Sequence, residues 1–164
     1  MGRKTIGFGG SCHWCTEAIF QSLIGVDKVE QGWIGSRPPN NELSEAVLVT
    51  FDPKIISLET LIEVHLLTHS CTSIHSMRGK YRSAIYYLDA NQKKQAELAI
   101  EKFQPTFDEP IITKVIPFKT FKLNQQQYLD YYAKNPEKPF CQTYISPKLT
   151  LLKRKYGKMI RNKI

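Results

Sequence analysis

The stretch Glu-Ala-Val-Leu-Val-Thr-Phe, residues 45–51, is the clearest strand in the chain. β-branched and aromatic side chains favour strands, and Asp52-Pro53 ends the run because proline cannot continue a ladder of backbone hydrogen bonds. Before it, residues 26–34 are predicted to form another strand, followed by a loop over residues 37–41. Two consecutive strands therefore lie in the first half of the chain.

Helices and further strands are predicted on both sides of this pair. Residues 4–9 form a predicted strand, and apolar residues at helical spacing predict a helix from Trp14 to about Ile24, closed by Gly25. After the pair come a predicted helix from Leu58 to near His69 with Ser57 as N-cap, a strand over 83–88, a polar helix over 92–103 and a strand over 111–118. The order β-α-β-β-α-β, then a helix and a strand, predicts an α+β fold: a ferredoxin-like two-layer sandwich with a mixed sheet and a C-terminal helical and loop extension.

Length and composition fit one domain over residues 1–164. With 41% hydrophobic and 23% charged residues, the chain is not typical of disordered, collagen-like or coiled-coil proteins. No apolar run approaches the roughly 18 residues of a membrane span, and no secretory signal is visible, so we expect a cytoplasmic protein. The net charge of +8 includes a basic tail, residues 148–164, whose apolar spacing predicts a docked helix with a solvated basic face. Neither a nucleic acid nor a membrane is an expected partner.

Cys12 lies in the most informative segment, Gly-Gly-Ser-Cys-His-Trp-Cys-Thr-Glu over residues 9–17. It is predicted at a turn from a strand into a helix, where the unpaired N–H groups and the positive end of the helix dipole stabilise a thiolate. Thiol pKa values at such places fall to about 3.5 to 7.5. Cys12 is therefore a candidate nucleophile, and a buried inert cysteine is the alternative.

Cys12 and Cys15 also have the CxxC spacing of a redox pair or of half a zinc site. A zinc site needs further ligands, for which Cys71 with His69 or His75 could serve, but these spacings do not repeat a zinc knuckle. We therefore expect no metal site.

Five segments in order resemble the A-type peptide methionine sulfoxide reductases. They are residues 10–17 (Gly-Ser-Cys-His-Trp-Cys-Thr-Glu), 31–35 (Gln-Gly-Trp-Ile-Gly), 44–47 (Ser-Glu-Ala-Val), 81–86 (Tyr-Arg-Ser-Ala-Ile-Tyr) and a closing segment with Lys134-Asn135-Pro136, Phe140-Cys141 and Pro147-Lys148-Leu149. The resemblance implies an oxidoreductase that reduces methionine S-sulfoxide in proteins and peptides, needs no cofactor and is recycled by thioredoxin. We expect it to act as a monomer.

The resemblance also implies a role for individual residues. Cys12 attacks the sulfoxide sulfur, Glu45 is the acid that protonates the departing oxygen, and Tyr81 orients that oxygen. Trp14 and His13 stand where the family has the aromatic pair that holds the substrate's methyl group, with His13 in place of a phenylalanine. Trp33 replaces a family phenol; its indole can only donate a hydrogen bond. Glu17, on the first helix, is expected to be structural.

Two cysteines compete for the step that resolves the sulfenic acid on Cys12. Cys141 matches the family's recycling position in a loop rich in Pro and Lys and is favoured. Cys15 is the rival, although a helical Cys15 would have to leave its turn to bond Cys12. Cys71 is expected to be buried and inert.

Several departures from the family pattern leave another class of function open. The loop over residues 73–80 lacks the family's aspartate, and Gln127-Tyr128-Leu129 replaces a Tyr-His-Gln motif. With His13 and Trp33, these changes allow a family member that binds Met-containing peptides without reducing them. A metal-binding module on Cys12, Cys15 and Cys71 is the other alternative.

Overall fold

The computed structural model describes residues 2–161, which form one mixed sheet with helices packed on it. Its strands are β1 (Lys4–Gly9), β2 (Val26–Gly35), β3 (Ser44–Phe51), β4 (Ala84–Tyr87), β5 (Lys114–Pro117) and β6 (Thr120–Leu123). Its α-helices are α1 (His13–Gln21), α2 (Leu58–Thr68), α3 (Ala90–Phe103), α4 (Tyr131–Lys134) and α5 (Ser146–Tyr156). None of the helices in this range is long and apolar enough to cross a membrane.

The sheet has the order β5-β4-β1-β3-β2-β6. Its four central strands pair antiparallel, β5 adds a parallel edge beside β4, and β6 adds an antiparallel edge beside β2. The elements β1-α1-β2-β3-α2-β4 follow the predicted order, and β4-β1-β3-β2 is the arrangement that this order gives in a ferredoxin-like sandwich. The predicted α+β class and the mixed sheet are confirmed.

The register of the central strands brings the ends of three elements together. Gly9, the last residue of β1, lies opposite Ala46 on β3 and Ala84 on β4, and Trp33 on β2 lies opposite Glu45. A side chain on Gly9 would meet the carbonyl oxygens of Arg82 and Glu45 at 3.0 Å, so the strands approach closely here. The turn into α1 and the start of β3 therefore meet at one edge of the sheet.

A large apolar core lies between the sheet and helices α1, α2 and α5. Phe8 on β1 stacks on Phe20 of α1 with ring centroids 4.7 Å apart. The alternating side chains of β1 and β3 that face α1 are fully or nearly fully buried, as expected for strands that cover a core. A smaller cluster around Ile34, Leu48 and Tyr86 covers the other face of the sheet. The position of α1, and of the cysteine that precedes it, is fixed by the larger core.

The predicted end of α1 is wrong. The helix ends at Gln21 with Ser22 as its C-cap, because the Leu23 N–H bonds the Phe20 carbonyl in a tighter turn and Leu23 pairs with Ile160. Gly25 does not close the helix; with φ of +100° it accepts the N–H of Asp52 and begins the path into β2. The apolar spacing continues to Leu23 and Ile24, but the helix ends earlier because Leu23 pairs with Ile160, which is distant in the sequence.

The C-terminal tail docks as predicted, but its helix is shorter. Leu149, Leu152 and Ile160 are buried, while α5 ends at Tyr156 and a 3₁₀ turn follows over Gly157–Met159. The last three residues of the predicted tail, 162–164, lie outside the described residues. Strand β6 was not predicted, because its exposed Thr-Phe-Lys-Leu sequence has no buried alternating face to reveal it.

Candidate active site

Cys12 is the N-cap of α1 and so lies just outside the helix. Its backbone has φ of −51° and ψ of 133°, and its carbonyl oxygen accepts the N–H groups of Cys15 at 3.0 Å and Thr16 at 3.1 Å. Gly10 makes the preceding turn with φ of +149°, and a side chain there would lie 2.4 Å from the ring of His69. The turn therefore needs a glycine both for its conformation and for space. It leaves the thiol of Cys12 half-buried at the start of the helix.

The pKa of Cys12 does not follow the sequence prediction. A hydrogen bond with the side chain of Cys15 and burial raise the pKa of the Cys12 thiol, and these effects outweigh the hydrogen bond with His13, which lowers it. The same interaction with Cys12 lowers the pKa of the Cys15 thiol, and the charge of Lys148 lowers it further. The low pKa expected for Cys12 from its place at the helix N-terminus is therefore wrong, because the folded structure adds the hydrogen bond with Cys15 and the burial of the thiol.

Glu45, near the start of β3, carries a buried carboxylate next to Cys12. Its Oε1 accepts the backbone N–H of His13 at 3.1 Å, and its Oε2 lies 3.6 Å from Nζ of Lys80. The thiol of Cys12, the imidazole of His13 and the carboxylate of Glu45 each offer an atom within 4.8 Å of the others. A thiol and a carboxyl group are therefore adjacent although 33 positions separate them in the sequence.

These groups open into a cavity of about 630 Å³, which we call the carboxylate cavity. Six of the seven predicted site residues line it: Cys12, His13, Trp14, Trp33, Glu45 and Tyr81. The residues Lys80, Lys122, Leu123, Asn124, Gln125, Tyr128 and Phe140 complete the lining. The exception is Cys141.

Aromatic rings form much of the wall. Trp14 stacks on Tyr131 at 3.9 Å between ring centroids and meets the ring of Phe140 edge-on at 5.5 Å. Trp33 meets the ring of His13 edge-on at 5.2 Å. The packed rings give the cavity an apolar wall, whereas Glu45 gives it a polar group.

His13 connects the carboxylate to polar residues that sequence analysis did not find. Its Nδ1 lies 3.3 Å from Glu45 Oε1, and its Nε2 lies 3.4 Å from the side-chain amide nitrogen of Asn124. That amide also donates to Oε1 of Gln31 at 2.6 Å. The departure from phenylalanine therefore places a polar ring between Glu45 and Asn124.

The loop before Tyr81 is held by an arginine. The Arg78 guanidinium donates to the backbone carbonyls of Gly10 and Tyr81 at 2.8 and 2.9 Å, and also to those of Ser70 and Ser73. It joins the turn that carries Cys12 to the segment that carries Tyr81. No sequence signal marked Arg78, because its partners are backbone atoms.

The other cysteines occupy different environments. Cys141 has no exposed surface and belongs to the core, Cys71 is buried with a pKa raised by that burial, and Cys15 is 3% exposed. Within residues 2–161 the alternative metal ligands Cys12, Cys15 and Cys71 do not come together as a group. Glu17 accepts the N–H groups of Asp130 and Tyr131 at the start of α4, which agrees with the structural role expected for it.

The family model of peptide methionine sulfoxide reductase matches residues 4–160. The chain belongs to this family. It is 38% identical to the peptide methionine sulfoxide reductase MsrA of Deinococcus radiodurans over 94% of the chain and 82% of that protein. The predicted family and the predicted class of enzyme, an oxidoreductase, are confirmed.

Solved structures share the fold of the family. The reduced form of Mxr1 from Saccharomyces cerevisiae superposes with a TM-score of 0.73 at 22% identity, covering 87% of this chain and 91% of Mxr1. Mxr1 in complex with Trx2 superposes with a TM-score of 0.61 at 21% identity, covering 76% and 83% of the two chains.

Proposed function

We propose that this protein reduces methionine S-sulfoxide in proteins and peptides to methionine, with Cys12 as the nucleophile and thioredoxin as the final reductant. The observation that carries the proposal is the adjacency of the Cys12 thiol and the buried Glu45 carboxylate in one cavity with an aromatic wall. Membership of the family supplies the substrate class. The complex of yeast Mxr1 with Trx2 supports thioredoxin as the reductant.

The sulfur of Cys12 attacks the sulfoxide sulfur, and Glu45 protonates the sulfoxide oxygen. The sulfur–oxygen bond of the substrate breaks, the oxygen passes to Cys12 as a sulfenic acid, and methionine is released. The substrate sulfur is reduced by two electrons and Cys12 is oxidised by two. Glu45 is buried, so bulk water is excluded from the place where the sulfoxide oxygen takes up its proton.

Two sets of residues orient the sulfoxide. Tyr81 and the indole N–H of Trp33 line the same cavity as Glu45 and are hydrogen-bond donors for its oxygen. The ring of Trp14 provides an apolar surface for the methyl group. His13 holds Glu45 through its backbone N–H while its ring completes the wall.

The proton on Cys12 has a nearby acceptor. The hydrogen bond between the two side chains raises the pKa of Cys12 and lowers that of Cys15, so Cys15 is placed to accept the proton of Cys12. As the sulfur of Cys12 attacks, its proton passes to Cys15. A variant that lacks the Cys15 thiol has a larger thiolate fraction at Cys12, so its first step needs no such acceptor.

Cys15 is also the better candidate to resolve the sulfenic acid. Cys15 lies in the first turn of α1, but Cys12 precedes the helix as its N-cap, and the two side chains are already within hydrogen-bond distance of each other. Condensation of the Cys15 thiol with the sulfenic acid forms the Cys12–Cys15 disulfide and releases water. Cys141, which the sequence favours, is fully buried. Burial raises the pKa of its thiol and a negative charge on Cys12 raises it further, so the two cysteines lie near each other and Cys141 remains the second candidate.

The number of methionine molecules formed per protein chain distinguishes the proposed roles of the three cysteines. With thioredoxin in excess, Cys12→Ser is expected to form no methionine, and Cys15→Ser to form about one methionine per chain and then stop. Cys141→Ser should turn over repeatedly; if it stops after one and Cys15→Ser does not, Cys141 has the resolving role. If a methionine sulfoxide peptide consumes no thiols of the wild-type protein, the function is peptide binding without reduction.

We also propose a cytoplasmic, monomeric protein that works without a cofactor. A reducing cytoplasm fits a cycle that needs free thiols and thioredoxin. The apolar core extends from β1 to α5 without interruption, which supports one domain, and we propose that this domain acts as a monomer. We propose that no metal or organic cofactor takes part, because Cys12 supplies both electrons.

A further inference from the structure

A second cavity, of about 750 Å³, borders the same cysteine. Cys12, Tyr81 and Phe140 line both cavities and form the partition between them. The second cavity is otherwise lined by different elements: the turn before α1, the end of α2, the segment around His75 and Met77, and the start of α5. Cys12 is therefore accessible from two sides.

The lining of the second cavity differs chemically from that of the carboxylate cavity. Cys15 and Lys148 are present and, within the described residues, no carboxylate lines it. The side chains of Met77 and Tyr144 are 48% and 56% exposed and give it an apolar rim. A thiolate approaching here meets Lys148 and the Cys12–Cys15 pair, whereas the other route passes Glu45 together with Lys80 and Lys122 and does not reach Cys15.

We propose that the second cavity, which we call the reductant cleft, receives the dithiol-bearing segment of thioredoxin while the carboxylate cavity receives methionine sulfoxide. This inference rests on the proposed function. Its occupant follows from the chemistry of the cleft: the Cys12–Cys15 pair forms part of the lining, a cation stands beside it, and an apolar rim suits a protein surface. Two separate entrances let the substrate and the reductant reach one sulfur from different directions.

The exchange in the cleft has a defined direction. Cys15 is almost completely buried and Cys12 is half-buried, so the incoming thiolate attacks Cys12. The Cys12–Cys15 bond breaks, and Cys15 leaves as a thiolate that the positive charge of Lys148, in the same cleft lining, stabilises. The second thiolate of thioredoxin then attacks the mixed disulfide and releases Cys12. Two electrons pass from thioredoxin to this protein.

A comparison of two reductants tests the cleft. We expect Lys148→Glu to lower kcat/KM for thioredoxin by about tenfold relative to kcat/KM for dithiothreitol, because the charge that meets the incoming thiolate is reversed. Tyr144→Ala, on the exposed rim, should lower the same ratio. Lys153→Glu makes the same charge change on α5 outside the cleft lining and should leave the ratio at the wild-type value.

The outcomes separate the cleft from the proposed function. If Lys148→Glu and Tyr144→Ala both keep the wild-type ratio, or Lys153→Glu lowers it as much as Lys148→Glu, the reductant docks elsewhere and the inference is overturned. If the wild-type protein forms no methionine with either reductant, the proposed function itself fails. Circular dichroism of each variant checks that a lowered ratio comes from a folded protein.

Discussion

Glu45 and His13 approach each other at two points: Oε1 of Glu45 accepts the backbone N–H of His13 at 3.1 Å and lies 3.3 Å from Nδ1 of its ring. His13 directly follows Cys12 and is the first residue of α1. The carboxylate is therefore fixed to the same turn that carries the nucleophile.

Glu45→Gln tests the role of the acid. The amide oxygen can still accept the N–H of His13, so the fold should be kept, but the amide has no proton to give to the sulfoxide oxygen. We expect the rate of methionine formation in a single turnover to fall by about 10² to 10⁴, the usual contribution of a general acid.

Glu17→Gln is the matched control for this substitution. Glu17 is buried and accepts two backbone N–H groups near α4, but it does not line the carboxylate cavity. We expect it to lower the urea midpoint and to leave the single-turnover rate of the folded protein near wild type. A loss of less than about tenfold in Glu45→Gln would assign the proton to another donor.

Cys15→Ala tests the coupling of the two thiols. The hydrogen bond with Cys15 is the largest cause of the raised pKa of Cys12, so its removal lowers that pKa and increases the thiolate fraction of Cys12 at pH 7. Each unit of pKa is worth about tenfold in that fraction. We expect iodoacetamide to alkylate Cys12 faster in the variant, as measured by mass spectrometry of the peptide. Cys71→Ala, a buried thiol outside the pair, should not change the rate, and an equal rate in all three proteins would contradict the coupling.

Sequence reasoning found the order of the first six elements because each has strong local signals. β3 is a run of β-branched and apolar residues with Asp52-Pro53 behind it, and α2 has a serine N-cap whose side chain accepts the Thr60 N–H at 3.1 Å. The end of α1 and strand β6 were missed for the opposite reason. They depend on pairing with Ile160 and with β2, partners that lie far away in the sequence.

In the candidate site, too, the features with local sequence signals were predicted and those that depend on distant contacts were not. Six of the seven predicted residues share one cavity, because the motifs that mark them are short and ordered along the chain. The pKa of Cys12 was predicted in the wrong direction, since the helix terminus is a local feature whereas the hydrogen bond with Cys15 and the burial arise in the folded structure. Asn124 and Gln31 were missed because a 93-position separation hides their contact.

Gly32→Ala tests how the edge strand shapes the carboxylate cavity. A Cβ on Gly32 would lie 2.0 Å from the carbonyl oxygen of Lys122, so β6 must move away from β2. Lys122, Leu123, Asn124 and Gln125 line the cavity and would move with it. We expect the KM for a methionine sulfoxide peptide to rise several-fold and the urea midpoint to fall. Gly79→Ala, where an added Cβ meets nothing within 4 Å, should change neither.

His69 makes stability depend on pH below neutrality. Its ring packs on that of His65 at 4.1 Å between centroids, its Nε2 pairs with the Ser83 hydroxyl at 2.7 Å, and burial lowers the pKa of His69 from 6.5 to about 4. Between these two values the unfolded chain binds a proton that the folded chain does not. The contribution is therefore fully present above pH 6.5 and is lost as the pH falls toward 4, by about 3 kcal/mol at the lower end.

Urea unfolding at pH 7, 5.5 and 4.5 measures it: the fall in unfolding free energy should be smaller in His69→Gln, whose amide can still pair with Ser83. His75→Gln changes an exposed side chain, so its unfolding free energy should fall with pH as much as that of wild type. An unchanged pH dependence in His69→Gln would assign the effect to His65.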